Sequence, residues 1–115
     1  MATSKIKGGI ETFTLTNPSG FSNFEGRGYY DHATGRVRIY VNVYNGSNLS
    51  TNVIANVPAQ YRPSAQVSLW GVVGLGTGSD GPIFCYPVSL SANGNITHDA
   101  STTTRQALVV GEYAI

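Results

Sequence analysis

The sequence predicts an all-β protein, a compact antiparallel β-barrel or sandwich formed by a single domain over residues 1–115. Three observations support this prediction. Apolar and polar residues alternate with a period of two in several stretches, as in strands that bury one face. Turn-forming residues separate these stretches at the spacing typical of sandwiches and barrels. No helical pattern of useful length interrupts them.

The first half of the chain predicts a β-hairpin. In RVRIYVNVY, residues 36–44, one face carries only Val and Ile, and the other carries Arg, Tyr and Asn. The preceding GRGYYDHATGR predicts a strand through Tyr29 and Tyr30 and a turn over residues 32–35. NGSN at 45–48 predicts a second turn, with a strand near residues 49–55. We expect residues 1–10 to be a flexible or linker-derived N-terminus.

Two prolines interrupt this pattern in NVPAQYRP, residues 56–63. Pro58 and Pro63 lack an N–H group, so neither suits a central strand. Each also favours an extended backbone at the residue before it. The segment is therefore predicted to be an ordered, extended crossover rather than a strand or a helix. We expect it to present Tyr61 and Arg62 in a fixed geometry.

Four more strands are predicted after the crossover. AQVSLWGVVGL has apolar residues on both faces, which indicates a central or interface strand. IFCYPVSL contains Pro87, which favours an edge or a bulge, and Gly111 suggests a bulge in the last strand, QALVVGEYAI. NITHD is a short strand, and GTGSDGP and ASTTT are loops. The final pattern runs to Ile115, as expected at the C-terminal end of a natural protein.

Composition excludes several classes of function. Charged residues are 11% of the chain, the net charge is +1, and basic residues are scattered among acidic ones. Binding through phosphates needs a clustered basic surface, so we expect no nucleic-acid binding. We expect no membrane insertion either, because no apolar run approaches ~20 residues. No secretory signal is visible, and the single cysteine, Cys85, permits no disulfide within the chain.

No catalytic or metal-binding constellation can be recognised. His32 and His98 each stand beside an aspartate, but adjacent strand residues face opposite ways. There is no G-x-S-x-G motif and no spacing typical of metal ligands, so we predict no enzymatic activity, metal or cofactor. Any two of the six carboxylates could form a glycosidase pair in space. The abundant tyrosines and Trp70 favour sugar binding through aromatic faces, unless the tyrosines are half-buried strand residues.

From residue 53 onward the order of motifs resembles that of a known family. NVIANVPAQYRPSAQVSLWGVV precedes a Gly-rich loop, an apolar strand, the turn NGNI and a last strand ending in EYAI. This order resembles the C-terminal head domain of receptor-binding proteins from tailed phages of Gram-positive bacteria, in particular the lactococcal siphophage type. Residues 1–52 match only in being rich in β-structure. Thr77, Ser79 and Asp80 stand where some relatives carry an aromatic residue.

The resemblance implies a bacteriophage β-barrel head that assembles as a homotrimer and buries apolar strand faces near Trp70. It also implies non-enzymatic adhesion to a host cell-wall saccharide. The protein would then belong to the virion, at the tail tip or baseplate, with other tail and baseplate proteins as partners. Such sites commonly use Trp, Asp, His and Arg. The candidate saccharide-binding residues here are Trp70, Asp80, Tyr61, Arg62 and His98.

Two other functions stay open. The chain could be a structural β-domain of a phage tail or viral decoration protein that binds protein only. It could also be a small glycan hydrolase, which the missing catalytic constellation makes the least favoured. Saccharide binding separates the first two functions, and turnover of cell-wall polymer separates the hydrolase from both.

Overall fold

The computed structural model describes residues 9–44, 53–74, 83–98 and 106–115, and these form one curled antiparallel sheet. No α-helix occurs in these ranges. The order of strands across the sheet is β1-β2-β3-β8-β5-β6-β7-β4. The predicted all-β antiparallel fold is therefore confirmed. The strands are β1 (Ile10–Thr14), β2 (Asn23–Asp31), β3 (Arg36–Tyr44), β4 (Ala55–Asn56), β5 (Val67–Gly74), β6 (Ile83–Leu90), β7 (Asn95–His98) and β8 (Gln106–Ala114).

The two ends of this strand order meet at one residue pair. Thr16, just after β1, forms an isolated antiparallel bridge with Asn56 of β4. The N–H of each donates to the carbonyl of the other, at 3.0 and 3.1 Å. This bridge closes one end of the curled sheet. The sheet therefore has a concave inner face and a convex outer face.

The hydrophobic core lies on the inner face. Val37, Ile39, Val41 and Val43 of β3 are each at most 1% exposed, as the alternating pattern predicted. Burying one such side chain stabilises the fold by about 1.5–3 kcal/mol. A slip of one residue would turn all four to solvent, so this strand specifies the register of the sheet. Buried side chains of the other elements complete the core: Leu15, Phe21, Ile54, Val57, Leu69, Val88, Leu90, Ile96, Val109 and Tyr113.

The proline-bracketed crossover is ordered, but it is not extended throughout. Residues Ala59–Tyr61 form one 3-10 turn, in which the Tyr61 N–H donates to the Pro58 carbonyl at 3.0 Å. The prediction of no helical turn was therefore wrong at these three residues, because the φ of Pro58 suits the start of a turn. Arg62, which precedes Pro63, is extended as predicted, with φ −79° and ψ 146°.

The structure tests several predictions about single strands. The β2–β3 hairpin is confirmed, and β5 is a central strand between β6 and β8. Pro87 pairs with Trp70 of β5 and lies one residue before Val88, the first β6 residue paired with β7 in the described part of the chain. Gly111 continues the β3–β8 register without a bulge, and that prediction was wrong. Its missing side chain instead makes room for Leu69, which a Cβ would meet at 2.3 Å.

The ends of other predicted segments differ from the structure. The turn predicted at 45–48 and residues 49–52 of the following strand lie outside the described residues; in the described residues 53–56, the strand is formed at Ala55–Asn56. The loops GTGSDGP and ASTTT also lie outside them. Ile10 begins β1, within the segment expected to be a flexible N-terminus, and residues 1–8 are outside the described ranges.

Candidate functional site

A shallow cavity of about 350 Å³ lies on the outer face of the sheet, where strands β1, β2, β3 and β8 are neighbours. We call it the outer pocket. Most of its lining residues are outward-facing members of these strands, and one belongs to the turn after β2. They are Ile10, Tyr29, Asp31, Thr34, Arg36, Arg38 and Glu112.

The pairing register of the sheet assembles the outer pocket from two rows of side chains. In one row Tyr29 of β2 pairs with Arg38 of β3, and Arg38 pairs with Glu112 of β8. In the other row Ile10 pairs with Asp31, and Asp31 pairs with Arg36. Directly paired residues of antiparallel strands place their Cβ atoms about 4.5–5.5 Å apart on one face. The alternating pattern of β2, β3 and β8 therefore brings these groups together.

Arginine side chains hold Glu112 at the centre of the outer pocket. The Arg36 Nε donates to Glu112 Oε2, and the Arg38 Nη2 donates to Glu112 Oε1 at 3.4 Å. These contacts, chiefly the hydrogen bond from Arg36, lower the pKa of Glu112, so the carboxylate is ionised at neutral pH. The Arg38 side chain is 73% exposed. Its guanidinium has five N–H donors, so several remain for a ligand.

A tight turn supports one wall of the outer pocket. The Ala33 N–H donates to Asp31 Oδ1 at 2.9 Å, and the Gly35 N–H donates to the Asp31 carbonyl at 2.8 Å. Gly35 has φ +71°, which other residues rarely adopt. The Ile115 N–H donates to the Gly35 carbonyl at 2.9 Å. The turn is thereby connected to the end of β8, and Asp31, which lines the outer pocket, holds it through one carboxylate oxygen.

The arrangement suits a ligand that carries many hydroxyl groups. Guanidinium groups donate hydrogen bonds, carboxylates accept them, and the Tyr29 ring offers an apolar face. Small-molecule sites commonly combine a few polar groups with an aromatic surface. The outer pocket contains each of these groups within two rows of the sheet.

The structure places two of the five candidate residues from the sequence inside the fold. The Tyr61 ring is buried and stacks on Phe13, with 3.8 Å between ring centroids. Arg62 holds the crossover: its Nε donates to the Val57 carbonyl at 2.7 Å, and its Nη2 donates to Asn56 Oδ1 at 3.0 Å. The expectation that the crossover presents the Tyr61 ring to a ligand was wrong, because core packing covers that ring.

Trp70 has a different environment. It lies on the outer face of β5, is 68% exposed, and pairs with Val110 of β8, which is 50% exposed. Val110 stands two residues before Glu112, so Trp70 shares a face with the outer pocket, one strand away from β8. His98 ends β7, where it pairs with Val88. Asp80 lies outside the described residues.

Sequence patterns alone did not single out the lining residues of the outer pocket. The alternation in residues 36–44 assigned Arg36 and Arg38 to the solvent face of a strand, which is correct. It gave no reason to associate them with Glu112, which follows Arg38 by 74 residues. Only the pairing of β3 with β8 joins them.

The described residues contain no group of three or more His, Cys, Asp and Glu side chains that could hold a metal ion. No helix in the same part of the chain is long and apolar enough to cross a membrane.

Comparison with known proteins identifies the fold. No protein-family model and no curated protein sequence matches the chain. Among solved structures, it is similar to the receptor binding protein (gp15) of Listeria phage PSA, with a TM-score of 0.58 and 16% sequence identity. The alignment covers 99% of this chain and 71% of that one. The fold is therefore one found in a phage receptor-binding protein, while the lactococcal type named from the sequence is not singled out.

Proposed function

We propose that the protein is the receptor-binding head of a phage tail and that it binds a host cell-surface saccharide in the outer pocket, without catalysis. One observation carries the proposal: the outer pocket joins an aromatic ring with guanidinium and carboxylate groups, on a fold shared with a Listeria phage receptor-binding protein. The protein would act outside the host cell, at the tail tip or baseplate of the virion. Other tail proteins would hold it there.

The proposed binding mode follows from the two rows of the outer pocket. The Arg38 guanidinium is a planar fork that can donate to neighbouring hydroxyl groups of one sugar ring. Glu112 and Asp31 would accept hydrogen bonds from other hydroxyls, and the C–H face of the ring would lie on Tyr29. A shallow site of this kind binds with about −4 to −8 kcal/mol, which is millimolar to micromolar affinity.

Weak individual sites make a multivalent assembly useful, and we propose a homotrimer. Several copies on one particle raise the overall avidity without any new contact. The exposed Trp70 and Val110 side chains form an uncharged pair on the outer face. A second copy of the chain would remove this apolar surface from water. Light scattering should give the mass of three chains, and Val110→Asp should reduce it.

The lowered pKa of Glu112 argues against this residue as the general acid of a hydrolase. A glycosidase needs a carboxylic acid that is protonated near neutral pH, together with an ionised partner. Asp31 and Glu112 are the two carboxylates of the outer pocket. Arg36 and Arg38 lower the pKa of Glu112, which is the opposite of what a general acid requires. Turnover of cell-wall polymer by this chain would overturn the proposal of binding without catalysis.

A tail domain that binds protein only is the competing proposal, and Trp70 favours it. Its ring stands between Val110 and Pro87, with no charged residue in either paired position. If the domain binds protein only, it should bind no cell-wall glycan, and Trp70→Ala should still change the mass of the assembly. If Trp70 also contacts saccharide, the same variant should weaken glycan binding at unchanged mass.

The proposal is tested by binding to cell-wall glycans purified from a panel of Gram-positive bacteria that includes Listeria. Wild-type protein should bind at least one of them. Arg38→Ala and Tyr29→Ala should each bind that glycan at least about tenfold more weakly, which corresponds to about 1.4 kcal/mol. Arg27→Ala is the matched control, because Arg27 is an exposed outer-face arginine that does not line the outer pocket.

Two outcomes would contradict the proposal: binding to no glycan of the panel, or equal binding by Arg38→Ala and wild type. Asp80 and His98 stay proposed contacts. Asp80→Ala and His98→Ala belong in the same assay. A loss there with none at Arg38 would move the site away from the outer pocket.

A further inference from the structure

We propose that a cluster of Glu11, His32 and Tyr61 on the inner face positions the wall of the outer pocket. The inference rests on the proposed function, since it assigns a role to residues that would never contact the ligand. We call the three residues the brace. The brace lies behind the segments that carry Ile10, Asp31 and Thr34 to the outer face.

The brace is built around the Glu11 carboxylate. Its Oε1 is 2.8 Å from His32 Nε2, and its Oε2 accepts a hydrogen bond from the Tyr61 hydroxyl. The Glu11 side chain is 33% exposed and that of His32 is 27% exposed. One carboxylate thus joins three segments of chain: β1, the turn after β2, and the 3-10 turn of the crossover.

One member of the brace is anchored in the core. The Tyr61 ring stacks on Phe13 with an interplanar angle of 7°, and the Tyr61 carbonyl accepts a hydrogen bond from the buried Tyr113 hydroxyl at 2.7 Å. Because Tyr61 cannot move without disturbing these contacts, it provides a fixed point. Through its two carboxylate oxygens, Glu11 connects β1 and His32 to this fixed point.

The brace reaches the outer pocket through adjacent residues. Glu11 follows Ile10, and His32 follows Asp31. Neighbouring residues of a strand face opposite ways, so inner-face contacts hold the backbone that bears the outer-face side chains. The His32 N–H also donates to the Gly9 carbonyl at 3.0 Å. The brace therefore restrains the Ile10 and Asp31 positions relative to each other.

The charge of Glu11 gives the brace a pH dependence. The hydrogen bond from Tyr61, and then that from His32, lower the pKa of Glu11 below its ordinary value. Because the pKa of Glu11 is lower in the folded state, the restraint is complete when the pH is above the ordinary pKa of a glutamate. It is lost as the pH falls through the lower pKa that Glu11 has in the folded protein. In the described residues, the titratable groups around the brace are His32, Tyr61, Tyr30 and Tyr113. Burial raises the pKa of Tyr61 and of Tyr113, so both are neutral below pH 7.

The test is amide hydrogen exchange on the free protein, expressed as protection factors so that the intrinsic effect of pH cancels. Glu11→Ala should lower protection about tenfold in residues 9–11 and 31–35, and leave residues 37–43 of β3 unchanged. Glu11→Gln keeps the shape and the acceptor oxygen for the Tyr61 hydroxyl, and its NH2 group can donate to an unprotonated His32 Nε2, so it should restore most of the protection. Wild type should lose more protection in residues 9–11 than Glu11→Gln between pH 5 and pH 3; residues 31–35 are less specific, because Asp31, which accepts from the Ala33 N–H, is present in both proteins.

Glu25→Ala is the matched control, because it removes an exposed carboxylate from β2 that pairs only with Arg27 in the described structure. If Glu11→Ala fails to fold, Tyr61→Phe removes a single hydroxyl from the brace and should lower protection at residues 31–35. Unchanged protection in the folded variants would overturn the inference. A pH profile of Glu11→Gln that matched wild type would do so as well.

Ligand binding separates this inference from the proposed function. With a glycan bound by wild type, Glu11→Ala should weaken binding several-fold and Glu11→Gln should not. If Glu11→Ala alters amide exchange but not glycan affinity, the brace does not position the outer pocket. This result would overturn the inference about the brace and leave the proposed function standing. Failure of wild type to bind any glycan would overturn the proposed function, while the exchange data would still decide whether the brace exists.

Discussion

Removing the hydroxyl of Tyr113 should destabilise the fold measurably. The Tyr113 side chain is 4% exposed, and its hydroxyl donates to the Tyr61 carbonyl at 2.7 Å. Burial raises the pKa of Tyr113, so the group is a neutral donor at every working pH. Tyr113→Phe would leave the carbonyl buried without this partner.

The expected size of the effect follows from that missing partner. A neutral hydrogen bond contributes about 0.5–1.5 kcal/mol net, and leaving one buried partner unsatisfied costs about 1–3 kcal/mol. We therefore expect the free energy of unfolding to fall by about 1.5 kcal/mol. Tyr40→Phe removes the same atom from a half-buried outer-face residue and should change it by less than about 0.5 kcal/mol.

The assay is urea unfolding of wild type and both variants. All three should be measured at one chain concentration, because assembly makes stability depend on concentration. The urea midpoint of Tyr113→Phe should fall while the slope stays the same. Equal midpoints for Tyr113→Phe and Tyr40→Phe would refute the role given to this hydrogen bond.

Three further predictions concern the packing and charges of the sheet. Gly28→Ala should destabilise the fold by about 1–3 kcal/mol, because a Cβ there would lie 2.0 Å from the Phe13 ring; urea unfolding checks it. Arg62→Ala should lower the free energy of unfolding by about 2 kcal/mol, because the charge-assisted hydrogen bonds of Arg62 within the crossover are lost. A smaller decrease than that caused by Arg27→Ala would contradict this prediction. Arg36 lowers the pKa of Glu112 below its ordinary value of 4.5. The ionised carboxylate therefore stabilises the fold above pH 4.5, and this stabilisation is lost as the pH falls through the lowered pKa of Glu112. Glu112→Gln should therefore show a smaller decrease in melting temperature between pH 6 and pH 3 than wild type.

The strand content of the fold could be predicted wherever alternation is strong. Residues 36–44 show this best, because burial of one face leaves only one register that hides the valines. β1 was not predicted, although Glu11 and Phe13 alternate with Ile10 and Thr12. Its inward positions include a carboxylate, which breaks the apolar pattern, and only the Tyr61 hydroxyl and His32 explain why a carboxylate lies there.

The candidate site was harder to predict, because it depends on which strands become neighbours. Tyr61 and Arg62 have the chemistry of binding residues, but the structure uses them inside the crossover. The outer pocket needs Arg38 beside Glu112, and these residues meet only because β8 pairs with β3. Local patterns identify the face of a strand. They do not specify a partner 74 residues away.

Chemical-shift mapping would show directly whether saccharide binds at the outer pocket. Isotope-labelled protein would be titrated with the wall glycan that it binds best in the panel. We expect the largest shifts at Tyr29, Asp31, Arg38 and Glu112. Shifts confined to the face around Trp70, or to the loops after β5 and β7, would contradict it and move the binding site elsewhere on the fold.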